Sequence, residues 1–326
     1  MKPLRPRVGP TALVTIATAV TVLACSTTAT TVASSSTPEN TSAESPTTRS
    51  GSTTIEHITV DGRDRVYEIH VPDRLSKTRS VVLALHGNPS DAAELRLDTR
   101  LDSTADRHGF IAVYPQGLDR SWNDGRGVTD AQSDGINDVS YLTALIDTLV
   151  ATRQVNPRRV YLAGFSNGAF MAEKYACTMP RKIAAIAAVE GTVPAGSSCR
   201  PKVPVSVMQV HSTTDDVVPF NGGNLPDGGK VSKVKSARST AARWRKIDKC
   251  KKKATKAITS RFGRSVTREL GSKCSHQTEV ALYVLRGWPH TWQGGVSDVN
   301  NSGSARAGVF NASESVWRFF NSHPRR

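Results

Sequence analysis

Val160-Tyr161-Leu162-Ala163-Gly164-Phe165-Ser166-Asn167-Gly168 is the stretch from which the rest of the chain is read. An apolar run of the kind buried on both faces of a sheet leads into Gly-x-Ser-x-Gly, and a helix is expected to follow directly over residues 169–176. In such a strand–turn–helix the serine occupies a sharp, strained turn, and the flanking glycines leave room for it. The turn lifts the Ser166 hydroxyl clear of the sheet as a nucleophile would require. The pentapeptide alone arises by chance in roughly one chain of this length in ten, so its meaning rests on its surroundings.

Apolar runs recur around it at the spacing of alternating strands and helices. Runs at 55–60 and 66–71 flank Asp61-Gly62, which predicts an antiparallel hairpin. Buried strands are expected at 81–85, 110–114, 160–163, 183–189, 203–210 and 280–285, with further helices at 139–153, 237–247 and 309–320. This order predicts an α/β-hydrolase fold: a mostly parallel sheet with helices on both faces and an antiparallel N-terminal hairpin. No Gly-x-Gly-x-x-Gly follows the first strand, which argues against a dinucleotide-binding Rossmann domain.

At the N-terminus, Lys2, Arg5 and Arg7 precede an apolar stretch over 11–24, so residues 1–24 are expected to be a signal peptide. The stretch closes on Val22-Leu23-Ala24-Cys25, which resembles a bacterial lipobox whose cysteine is lipidated. The alternative is an ordinary secretory signal with an incidental cysteine and a soluble product. Residues 25–54 are rich in Ser, Thr, Ala and Pro and predict a flexible tether, leaving 55–326 as the catalytic domain of a cell-envelope lipoprotein. Cys177, Cys199, Cys250 and Cys274 remain, an even number for an oxidising compartment. Three pairings are possible, and closeness in sequence favours Cys177 with Cys199 and Cys250 with Cys274. No Cys-x-x-Cys points to zinc or to thioredoxin-like chemistry.

The formal charge is +15, and much of the excess lies in residues 230–268. Without interleaved aromatics, that segment reads as a solvated helix face and loop and not as a nucleic-acid site. Attraction to anionic lipid or acidic glycan is its alternative use.

A serine hydroxyl needs a base, usually a histidine oriented by a carboxylate. In this fold the chain order is serine, acid, histidine. Just past the strand at 203–210 comes His211-Ser212-Thr213-Thr214-Asp215-Asp216-Val217-Val218-Pro219, where either Asp215 or Asp216 could serve. Past the last strand lies Gly287-Trp288-Pro289-His290-Thr291-Trp292. His276 precedes that strand, at the wrong end of the sheet, and His323 lies in a polar tail, which leaves His290 as the base. Oxyanion donors are expected from the amide of Asn167 and from the loop His86-Gly87-Asn88-Pro89. Proline has no N–H, so the second donor is Asn88. Trp122, Trp288 and Trp292 flank these loops and are candidates for an aromatic wall against substrate.

Taken in order, His86-Gly87, Tyr114-Pro115-Gln116-Gly117, Trp122-Asn123, Arg159 through Ala169, His211 through Pro219 and His290-Thr291-Trp292 resemble a known family. It is the secreted polyhydroxybutyrate depolymerase, feruloyl esterase and acetylxylan esterase group of α/β-hydrolases. The resemblance aligns Asp215 with the acid of the family's His-Gly-Thr-x-Asp-x-Val-Val-Pro. Ser212 replaces a usual glycine, Asp216 stands where a proline is common, and Gln293 replaces the proline of His-Thr-Trp-Pro-Gly; such positions are expected to shape the substrate pocket. The resemblance implies an extracellular serine carboxylic ester hydrolase acting through an acyl-enzyme on an ester substrate, polymeric in the family. It implies no metal, organic cofactor or nucleic-acid partner. An envelope acyltransferase and a non-catalytic glycan- or lipid-binding lipoprotein are the alternatives.

Overall fold

The computed structural model describes residues 51–227 and 229–326. The expected signal peptide, the Cys25 lipidation site and the tether up to Ser50 lie outside the described residues. The strands are β1 (Ser52–Val60), β2 (Arg63–Val71), β3 (Val81–Leu85), β4 (Ile111–Pro115), β5 (Val160–Phe165) and β6 (Ala185–Val189), followed by β7 (Ser206–Ser212), β8 (Gly223–Asp227), β9 (Lys230–Val234), β10 (Lys252–Arg261), β11 (Arg264–Ser272) and β12 (Val280–Arg286). The helices are α1 (Ala92–Thr99), α2 (Leu101–His108), α3 (Asp130–Ser133), α4 (Asp138–Thr152), α5 (Asn167–Thr178), α6 (Ala237–Ile247), α7 (Val296–Ser302), α8 (Ser304–Ala307) and α9 (Ala312–Ser322).

Asp61 and Gly62 both take positive φ, 51° and 73°. Val60 pairs with Arg63 across them, the two-residue turn that suits strand twist. β1 reaches back to Ser52, which pairs with Val71, so the edge of the domain set by composition at residue 55 falls inside a strand. Backbone pairing holds those first residues, and such pairing leaves no trace in apolar composition.

Ten strands form one sheet in the order β1-β2-β4-β3-β5-β6-β7-β12-β11-β10. From β4 to β12 the neighbours run parallel. Their side chains alternate between two cores: Val81, Leu83 and Leu85 pack with Leu145, Leu149 and Met171 on one face, while Val82 and Ala84 pack with Trp317 and Phe320 on the other. Helices cover both faces, which is why these strands read as unbroken apolar runs. This is the α/β-hydrolase fold. The helix expected from residue 309 starts at Ala312, because the Asn311 side chain accepts the Glu314 amide at 2.8 Å and caps it there.

The basic segment departs from expectation. α6 lies where the apolar spacing predicts it, but the region read as loop forms β9, β10 and β11. β10 pairs antiparallel with β11, which pairs antiparallel with β12, so the arm extends the sheet past its parallel part. β10 is exposed along nearly its whole length. It has no apolar face to betray it, and lysines on an unpaired edge discourage other strands from adding there.

Candidate active site

Ser166 sits between β5 and α5 with φ 53° and ψ −119°, a strained conformation for a residue with a side chain. Close packing of the turn explains its glycines. A Cβ on Gly164 would lie 2.1 Å from the Gly168 carbonyl oxygen, and one on Gly168 would lie 2.1 Å from that of Leu85. Any substitution at either position would push Ser166 away from the strand ends.

Ser166 and His290 line one cavity of about 400 Å³, together with Gly87, Asn88, Phe165 and Val217. The His290 Nδ1–H donates to Asp215 Oδ2 at 2.9 Å, which leaves Nε2 as the unprotonated nitrogen of the neutral ring. Asp215 Oδ1 accepts the amides of Val217 and Val218, both at 2.8 Å. The neighbouring Asp216 acts on the backbone instead, its Oδ1 accepting the His290 amide at 3.1 Å and fixing that loop. Burial would raise the Asp215 carboxyl, but the His211 imidazole 3.4 Å away and the hydrogen bond from His290 outweigh it and hold the group well below the usual carboxylate range.

The loop after β3 is built around His86. Its Nδ1–H donates to the Gly87 carbonyl at 2.7 Å and its Nε2 accepts the Gly117 amide at 2.9 Å. Burial pushes this imidazole down to about 4, so it stays neutral and keeps both bonds. Beyond it, the amides of Asn88 and Asn167 donate to no protein acceptor among the described residues.

The chain matches the Esterase PHB depolymerase family over residues 66–222. It is 29% identical over 258 residues to a Nocardia uniformis subsp. tsuyamanensis protein named as an esterase, NocK, covering 75% of each chain. It is also 30% identical over 159 residues to the bifunctional acetylxylan esterase/xylanase XynS20E of Neocallimastix patriciarum, covering 49% of this chain and 22% of that longer protein. Among solved structures, an acetyl xylan esterase from Aspergillus awamori superposes with a TM-score of 0.53 at 14% identity, over 79% of this chain and 100% of that one. The chain is an esterase, similar over just under half its length to the polyhydroxybutyrate depolymerase group.

Two expectations about the esterase need correction. Trp122, Trp288 and Trp292 are at most 1% exposed and form no wall against substrate. Each indole N–H is tied inward, to the His86 carbonyl at 3.0 Å, to Asp298 at 3.1 Å and to Ser313 at 2.9 Å respectively, so they brace the site loops from below. Ser212 and Gln293 do not shape the pocket either. Ser212 donates its hydroxyl to the Trp288 carbonyl at 2.7 Å and its amide to Glu190 at 3.0 Å, and the Gln293 amide nitrogen donates to Glu190 as well.

Glu190 belongs to no motif in the sequence. It follows β6 with φ 50° and is fully buried, and its carboxyl oxygens lie within 4.8 Å of His211 and Asp215 donor atoms. Burial, with Asp215 beside it, pushes the Glu190 carboxyl well above its ordinary value, while Asp215 is held low. Glu190, His211 and Asp215 also form a donor set of metal-ligand type. Asp215 is already committed to His290, and the His211 Nε2–H donates to the Val218 carbonyl at 2.9 Å, so the cluster reads as a hydrogen-bonded support. A lone acid directly after an apolar strand was the available signal. The disulfides pair Cys177 with Cys199 and Cys250 with Cys274.

Proposed function

We propose that the esterase is an exported serine carboxylic ester hydrolase that cleaves acetyl, feruloyl or hydroxyalkanoate esters through an acyl-enzyme. Ser166 is the nucleophile. His290 takes its proton through Nε2 and returns it to the leaving alcohol, while Asp215 holds the imidazole tautomer and stabilises the imidazolium. The amides of Asn88 and Asn167 receive the oxyanion, and water then releases the acid. The observation that carries this reading is the 2.9 Å bond from His290 to Asp215 beside a serine in a strained elbow, with serine and histidine in one cavity.

Leu95, Phe165 and Val217 give the cavity apolar wall, and Glu94 and Asp98 add carboxylates to its lining, a combination that favours an uncharged acyl group. The acetylxylan esterase among the relatives supports an acetylated polysaccharide as substrate. The two disulfides support export, and a lipid on Cys25 with the tether after it would hold the domain at the cell surface. Ser166→Ala should abolish turnover of 4-nitrophenyl acetate and of acetylated xylan while the protein stays folded. Unchanged turnover would overturn the assignment.

A further inference from the structure

Asn88 and Asn167 come from different loops, yet an unbroken chain of polar contacts joins their side chains. The Asn88 Nδ2 donates to Asp227 Oδ1 at 3.1 Å. Asp227 Oδ2 lies 3.1 Å from Arg126 Nη2. Arg126 Nε donates to Asp124 Oδ2 at 2.7 Å, and the Arg126 amide donates to Asp124 Oδ1 at 2.9 Å. That same Asp124 Oδ2 accepts the Asn167 Nδ2 at 2.5 Å. Asn167 is held from its other side, its Oδ1 accepting the Trp122 amide at 2.8 Å.

We propose that Arg126 is a positioning residue for ester hydrolysis, one that sets the two oxyanion amides relative to each other through Asp227 and Asp124. The proposal rests on Asn88 and Asn167 being the oxyanion donors. An oxyanion hole stabilises charge only when both N–H groups already point at the place where it develops, and that pointing must come from whatever holds their residues. The Arg126 side chain is 3% exposed and that of Asp124 fully buried, so this half of the link is screened little by water, while that of Asp227 is 21% exposed. Its guanidinium lies 4.5 Å from the centroid of Phe170, one turn into α5 from Ser166. A rigid planar fork holds two carboxylates in a fixed relative geometry, which the flexible point charge of a lysine does not impose. Stability alone is a poor reason for such a cluster, because apolar residues of similar volume are often as stabilising as a buried ion pair.

Asp227 brings in the β8–β9 hairpin. Leu225 and Val234 of that hairpin pack with Phe170 and Val218, and the Val218 amide is bonded to Asp215. One hairpin thus touches the acid's loop with its apolar side and the oxyanion loop with its carboxylate. The hole is complete only with the hairpin docked.

The test uses the full chain with Asp227→Asn, Arg126→Met and Ser166→Ala. Asp227→Asn keeps an acceptor for Asn88 and loses the ion pair; Arg126→Met loses both links. For 4-nitrophenyl acetate, kcat is expected to fall about 10-fold in the first and about 100-fold in the second, with KM within about twofold of wild type. The inhibition constant of phenylboronic acid, whose tetrahedral serine adduct resembles the intermediate, should weaken by the same factors. The pH profile of kcat/KM should keep its shape, since Asp215 and His290 are untouched. Folded variants that retain wild-type kcat, or that lose activity only through KM, would overturn the proposal, and Asp227→Asn decides alone if Arg126→Met fails to fold. Activity remaining in Ser166→Ala would instead remove the underlying assignment of Ser166 as the nucleophile.

Discussion

The carboxyl ends of the parallel strands and the β10–β11 arm are both rich in charge, and they are held together in opposite ways. At the strand ends Asp215, Glu190, Asp124 and Arg126 are buried, and each has named partners from distant parts of the chain. On the arm, Lys252, Lys253, Lys256 and Arg261 are exposed. The arm is held by backbone pairing and by the Cys250–Cys274 disulfide, which joins the residues just before β10 and just after β11. Charge inside the protein fixes position, because an unpaired partner there is costly. Charge on the arm is screened by solvent and fixes nothing local.

The sharpest way to break this contrast is Asp215→Asn. The side chain keeps its size but can no longer select the tautomer or stabilise the imidazolium, and kcat on 4-nitrophenyl acetate should fall about 10⁴-fold. A drop below tenfold would mean that position at the strand ends matters less than stated. Next in size is the staple of the arm. Replacing Cys250 and Cys274 together with serine should destabilise the domain by about 2–4 kcal/mol in urea unfolding, while the folded fraction keeps wild-type kcat. Lost activity in the folded fraction would show that the arm helps to shape the site.

A third comparison concerns Glu173, a buried acid outside the site. Its carboxyl accepts the Trp244 indole N–H at 2.5 Å, and burial pushes it up to about 8 from an ordinary 4.5. Between those values the folded protein keeps a proton that the unfolded chain has released. Folding stability therefore falls as pH rises through this window and levels off above it. Glu173→Gln should remove that slope, and parallel stability curves for the two proteins would count against it. The smallest effect is expected from Lys252, Lys253 and Lys256 all changed to Gln. Melting temperature and kcat should stay near wild type, whereas a large loss of either would give the arm a structural or catalytic role that surface charge does not predict.

Motif and position were legible together wherever a residue acts through its place along the chain. Gly164-x-Ser166-x-Gly168 and a candidate histidine after β12 could be found by counting strands, because a parallel sheet brings the carboxyl ends of its strands to one edge; after β7 counting left Asp215 and Asp216 both open, and the family resemblance chose Asp215. The hairpin at Asp61-Gly62 was legible for a similar reason, since few residues tolerate its turn. β10 was not, because a strand exposed on both faces carries no alternation. α1 and α2 were not legible either; they are eight residues each and meet at Arg100 in a left-handed conformation, too short for a clear helical period.

What the chain by itself determined, then, was the fold, together with an expected nucleophile and its expected partners, since these follow from local patterns and from the order of strands. Tertiary structure alone decided which way the side chains around them face. The tryptophans turned inward, Ser212 and Gln293 went to Glu190, and Arg126 came to stand between Asp124 and Asp227. Those outcomes depend on burial and on polar contacts between residues up to 103 positions apart, which no local window of sequence contains.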